Sequence, residues 1–168
     1  FHLHCSTDAD CFAAMGYFHA ANRFFFMDFV RNSVRGKLGQ LVKAGNAVMT
    51  QDFDNRRFFT TREGEPLEDA LYQNASAKVR GFMDAYARGV NAWIADMRAG
   101  TNGATLTTEY DFNLIVKEAI RDWEPQDSAA VGLYVLNDLS NNSGSELEMA
   151  AAMPAFADQT LAADLFSG

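Results

Sequence analysis

Apolar and polar positions along the chain fall into a few long segments of helical period, separated by short polar breaks. The opening "FHLHC" reads as a short strand over residues 1–5. Ser6 or Thr7 then offers an N-cap, with Asp8 and Asp10 in the turn that follows, so a helix is predicted to start there. No proline interrupts it before about Val34, and Gly36 or Gly39 can end it. "VRGKLGQLVKAG" turns the chain, "NAVMTQDFDNRRFF" is another helical segment, and "REGEPLED" is a loop. From about Leu67 to Met97 the residues Leu71, Val79, Phe82, Met83, Tyr86, Val90, Trp93 and Ile94 recur at spacings of three and four, the period of an amphipathic helix. A helix over about 109–121 follows. Pro125 in "DWEPQD" suits a first turn and starts a helix to about Leu139. Beyond "SNNSGS", Ser143 or Ser145 can cap a short helix through Ala152, stopped before Pro154. The pattern predicts a mainly α chain with one short N-terminal strand.

The first helix raises its own question. In "YFHAANRFFFMDF", residues 17–29, the aromatic residues and Met spread over more than one stripe, so the helix asks to be buried nearly all round. Burying one Phe contributes on the order of 1.5 to 3 kcal/mol, and several left in water would forfeit much of a domain's stability. A few amphipathic helices cover one side of such a helix; something else must cover the other. Arg23 and Asp28 need partners there, since an isolated buried charge is costly. His19 is a candidate catalytic group, but its uniformly apolar neighbours favour a structural His held by hydrogen bonds beside an Arg–carboxylate network.

Composition narrows the function. With 168 residues, 48% of them hydrophobic, the chain has material for one core, read as a single helical unit over 1–168. Its net charge of −8 would repel nucleic acid. No apolar run approaches the roughly 18 to 20 residues that span a bilayer, which predicts a soluble chain. Cys5 and Cys11 either close a very short disulfide loop in an oxidising compartment or are two small buried thiols. His2 and His4 beside Cys5 suggest a metal site, but with no further His or Cys cluster zinc would be short of ligands.

Three stretches together resemble the penicillin acylase family of N-terminal nucleophile hydrolases. "GYFHAANRFFFMDFVRNSVRGKLGQLV" looks like that family's Gly-aromatic-x-His-Ala-x-x-Arg-Leu-Phe-x-Met-Asp helix and the Arg-Gly-x-Leu turn after it. "FMDAYARGVNAWI" is similar to a second signature, Ala-Tyr-x-x-Gly-Val-Asn-Ala, and "DWEPQDSAAVGLYVLNDLSNNSGSELE" to a third, Trp-x-Pro-x-Asp leading to Ser-Glu-Leu. They occur in the family's order and span most of the chain.

The resemblance implies the small, α, subunit of a heterodimeric αββα hydrolase cut from one precursor, completing its core against a β chain. The nucleophile would be the β chain's N-terminal Ser, with its own α-amino group as base, so no catalytic residue is expected here. No Gly-x-Ser-x-Gly elbow, Walker A loop or zinc-hydrolase motif competes with that reading. The substrate class would be a linear amide: the acyl side chain of a β-lactam such as penicillin, or an N-acyl homoserine lactone. Glu146 in "GSELE" takes the position of the one Glu that the family's α chain gives to a structural Ca²⁺ shared with the β chain, and a carboxylate suits that ion. Counting back places Leu136, Leu139 and Ser140 where penicillin G acylases carry a Met and an Arg-Phe pair at the acyl pocket. The departures argue against a phenylacetyl substrate and suit an aliphatic chain. The family implies a periplasmic or secreted location. The alternative from another class is a non-catalytic helical interaction or ligand-binding module whose Phe face recruits a partner.

Overall fold

The computed structural model describes residues 2–43 and 45–140. Helix α1 runs Asp8–Val34, and its cap is the predicted one: the Thr7 hydroxyl accepts from the Asp10 amide, with Asp8 and Asp10 in the first turn. Four further helices follow, α2 (Leu38–Leu41), α3 (Asn46–Phe58), α4 (Leu67–Asn74) and α5 (Ala77–Ala99). Two 3-10 turns, Thr108–Asp111 and Lys117–Ala119, lead into α6 (Pro125–Ser140). The chain divides into two compact units, Phe1–Tyr134 and Val135–Gly168, and of the second only residues 135–140 are described.

Several expectations are corrected. Residues 2–5 form no strand; a strand needs a ladder partner, and among the described residues the only pairings are two isolated bridges, Val42 with Ile115 and Thr60 with Pro66. The N-terminal segment is instead tied to α1 by a Cys5–Cys11 disulfide, which resolves the two readings of that pair in favour of the bridge. The helix predicted over 67–97 is two helices. Ala75 is extended and ends α4, and the Ser76 hydroxyl caps α5 by accepting from the Val79 amide. Arg80 reaches back to the Gln73 carbonyl and Tyr72 donates to Asp84, so the break is braced from both sides. The helix predicted over 109–121 is replaced by the two 3-10 turns. There the backbone pairs with the end of α2, Lys43 N–H to Leu114 C=O and Val116 N–H to Leu41 C=O, and those bonds exclude an α-helical ladder. The short helix predicted through Ala152 lies outside the described residues.

Packing centres on the crossing of α1 and α5. Two glycines let the backbones touch: a Cβ on Gly89 would stand 1.8 Å from the Ala13 carbonyl oxygen, and one on Gly16 2.2 Å from that of Tyr86. Around this contact Phe24, Met27, Val90, Trp93 and Ile94 form the core, with the Phe24 and Trp93 rings 4.9 Å apart. α1 is not buried all round. Phe18 is 38% and Phe26 50% exposed, and Ala21, Asn22 and Arg23 between them also face solvent. The described helices thus cover one side of the Phe-rich helix and leave Phe26 and Arg23 on the other exposed.

Candidate functional site

Positions drawn from the three signatures meet in space around one buried ionic cluster. Arg31, on the last turn of α1, is fully buried. Its guanidinium binds Asp28 at 2.7 Å and Asp127 at 3.1 Å, donates to the carbonyls of Arg121 and Asp122, and lies 5.0 Å from the Trp123 ring. Tyr110 completes the Asp28 carboxylate by donating to it at 2.9 Å. Burial, with the Asp28 charge and hydrogen bond, drives the Tyr110 hydroxyl far above its ordinary value, so it stays a donor.

Asp127 is where the helix α6 start and the cluster become one device. Its carboxylate reaches back to the Glu124 amide, which caps the helix ahead of Pro125, while it binds Arg121 at 2.6 Å and Arg35 at 3.3 Å. Burial alone would raise the Asp127 carboxyl; the Arg121 hydrogen bond and the charges of Arg31, Arg121 and Arg35 outweigh it and hold the group below the usual carboxylate range. Arg35 also faces Glu68, whose carboxyl is pushed up by burial and only partly offset by that cation. Asn91, from the second signature, makes a reciprocal pair with the Trp123 backbone, donating to its carbonyl and accepting from its amide at 2.6 Å.

His19 bonds through Nδ1 to the Tyr86 hydroxyl at 3.0 Å across the helix crossing. Partial burial, then the nearby Arg23 charge, lowers the His19 value, and burial pushes Tyr86 up to about 12. The pair fits the expected structural role. The expected Arg–carboxylate network does form, but around Arg31 and Asp28, with Arg23 left exposed. Beside Tyr86 an apolar cavity of about 350 Å³ opens among Phe12, Met27, Phe82, Met83, Trp123 and Val131.

The predicted site residues are placed as follows. Leu136, Leu139 and Ser140 fall on one face of the last turns of α6. Leu136 is 64% and Leu139 74% exposed, and the Ser140 hydroxyl is spent on the Asn137 carbonyl. Glu146 lies outside the described residues. Among the described residues no group of three or more His, Cys, Asp or Glu side chains could hold a metal, and no helix is long and apolar enough to cross a membrane. Sequence reasoning missed Arg31 and Asp127. Asp127 was visible as the last residue of "WEPQD"; Arg31 has a local partner in Asp28, three residues before it, but its other partners stand 90 to 96 positions away.

Comparison with known proteins gives a consistent picture. The acyl-homoserine lactone acylase QuiP of Pseudomonas syringae pv. tomato is 31% identical over 149 residues, 86% of this chain and 16% of the relative. Penicillin acylase 2 proenzyme of a Pseudomonas species is 32% identical over 130 residues, 77% of this chain and 15% of the relative. Penicillin G acylase of Escherichia coli is 27% identical over 161 residues, 94% of this chain and 18% of the relative. The chain therefore spans between 15% and 18% of the length of these relatives. A solved chain of the thermostable penicillin G acylase from Alcaligenes faecalis shares the fold, with a TM-score of 0.69 at 20% identity over 98% of this chain and 85% of that one. The penicillin amidase family model matches residues 1–168, and the chain belongs to that family.

Proposed function

We propose that this chain is the small subunit of a heterodimeric acylase that hydrolyses a linear amide and releases a carboxylic acid. The carrying observation is one of length. The whole chain matches the family, and a solved chain is matched over 85% of its length, whereas the curated relatives, one of them named a proenzyme, are about five times as long as this chain. The shortness of that solved chain beside relatives of precursor length supports a small chain cut from a longer precursor here as well. The nucleophile in this reading is the N-terminal Ser of a second, larger chain, attacking the amide carbonyl with its own α-amino group as base.

The chain's own residues supply framework and specificity. Arg31, Asp28 and Asp127 fix α6 against α1, and Leu136, Leu139 and Ser140 at the far end of α6 line part of the acyl pocket. Two exposed leucines on one face suit an aliphatic acyl group more than an aromatic one held by an Arg-Phe pair. Glu146 gives one oxygen to a structural Ca²⁺. In this reading the other oxygens come from the second chain. An enzyme of this kind works in the periplasm or outside the cell, where the Cys5–Cys11 bridge is stable.

The test is hydrolysis of phenylacetyl and aliphatic acyl amides, including acyl-homoserine lactones, by the purified two-chain protein. Turnover is expected, and is expected to vanish when the larger chain's first Ser becomes Ala. A stable lone chain of 18.6 kDa with no turnover on any acyl amide would refute the reading. Metal analysis of the same protein should find calcium that the Glu146→Ala variant loses.

A further inference from the structure

The exposed side of α1 carries a feature that the core does not explain. Arg23 alone among the 27 residues of α1 leaves helical geometry, at φ −149° and ψ 33°. Neither proline nor glycine sits at the break. One residue earlier the Asn22 side-chain amide donates to the Phe18 carbonyl at 3.0 Å, competing with the helix's own ladder, which is a known way to open a helix. Arg23 is exposed there and makes no hydrogen bond or ion pair among the described residues, although the chain carries a net charge of −8 and Arg31, the other arginine of α1, is fully paired. Phe26, half exposed, stands one turn further along.

We propose that this strip of α1, with the Arg23 guanidinium at its centre and Phe26 beside it, docks a segment of the larger chain that bears a carboxylate among apolar side chains. The inference rests on the two-chain reading above. Three observations select this occupant. The apolar strip needs cover, and the curated relatives contain about four times this chain's length of further sequence to supply it. The lone cation asks for an anion, and an Arg–carboxylate pair walled by aromatic rings is a strong, directional contact. A second copy of this chain fits poorly, because a two-fold contact centred on the break would bring two Arg23 cations together.

Arginine-specific labelling with phenylglyoxal, read by mass spectrometry on the intact two-chain protein, tests the docking without altering the sequence. Arg23 is expected to react at least about tenfold more slowly than the exposed Arg62, as a desolvated, ion-paired guanidinium should. Equal rates would overturn the proposal. In the Arg23→Glu variant the two chains are expected to associate at least about thirtyfold more weakly, with Arg23→Lys in between. Protection of Arg23 with undiminished association of the Glu variant would also overturn it, since the anion would then lie within this chain. A complex containing two small chains joined through Arg23 would do the same. If no larger chain accompanies the protein at all, the two-chain reading itself fails, an outcome distinct from a larger chain that leaves Arg23 open.

Discussion

At the scale of single residues, the cluster around Arg31 stabilises specificity more than it adds energy. Removing three buried cations and carboxylates together in favour of apolar groups can be neutral, but removing one partner strands the rest. Asp127→Asn should therefore destabilise the protein by about 3 to 5 kcal/mol, because Arg31 loses a partner at zero exposure while the cap on α6 loses its carboxylate. Urea unfolding of the two-chain protein measures it, and a change below about 1 kcal/mol would show that Arg31 is satisfied without Asp127. The pH dependence follows from the same groups. A carboxyl held low, as Asp127 is, contributes stability that is present above about pH 4 and lost as pH falls through its folded value. A histidine held low contributes in the same sense but at higher pH. In the unfolded chain His19 takes its proton near pH 6.5, in the folded one later, so stability declines as pH drops below about 6.5. His19→Gln should flatten the decline that begins below about pH 6.5 and leave the steep acid loss below about pH 4 unchanged. Melting temperatures across that range separate the two.

At the scale of elements, what could be read from the sequence was what neighbouring residues decide. The start of α1 at the Thr7 cap, its end near Val34 and the first turn of α6 at Pro125 depend on side chains within one turn of each boundary. The break between α4 and α5 escaped notice because apolar residues keep helical spacing on both sides of Ser76, and only the extended Ala75 interrupts them. The turns at 108–119 escaped it for the opposite reason. Their backbone bonds go to residues near position 42, and Tyr110 is held by Asp28, 82 positions away. The signature glycines are legible once the crossing is seen: they are the points where α1 and α5 touch. Gly89→Ala puts a methyl 1.8 Å from a backbone oxygen that no side-chain rotation can clear, so the helices must separate. A loss of about 3 kcal/mol or more is expected, whereas Gly81→Ala on the same helix meets open space and should gain a few tenths from helix propensity. Comparing the two variants by urea unfolding isolates the crossing from propensity; equal effects would mean the crossing adjusts freely.

At the scale of the whole molecule, the candidate site divides between what this chain builds and what it presents. The buried half pairs Arg31 with Asp28 and Asp127, and side chains cap α1, α5 and α6. The presented half consists of the Arg23 strip on one element and the Leu136–Leu139 face on another, both apolar and both exposed. No side-chain pattern along the sequence marked Leu136, Leu139 and Ser140 as pocket residues; family register placed them, and their exposure is the property a residue awaiting substrate or a second chain would have. That assignment makes a graded prediction. If Leu139 touches the acyl tail, Leu139→Ala should lower kcat/KM by about tenfold for acyl groups long enough to reach it and leave the shortest ones unaffected, because each buried methylene contributes about 0.8 kcal/mol. Stability should change little, since the side chain is 74% exposed within this chain. A series of linear acyl amides from two to twelve carbons, assayed on the parent protein and the variant, gives the reading: a divergence that begins at one chain length locates the residue along the pocket. A uniform loss across the series would place Leu139 at the junction between chains instead, and identical profiles would remove it from the pocket.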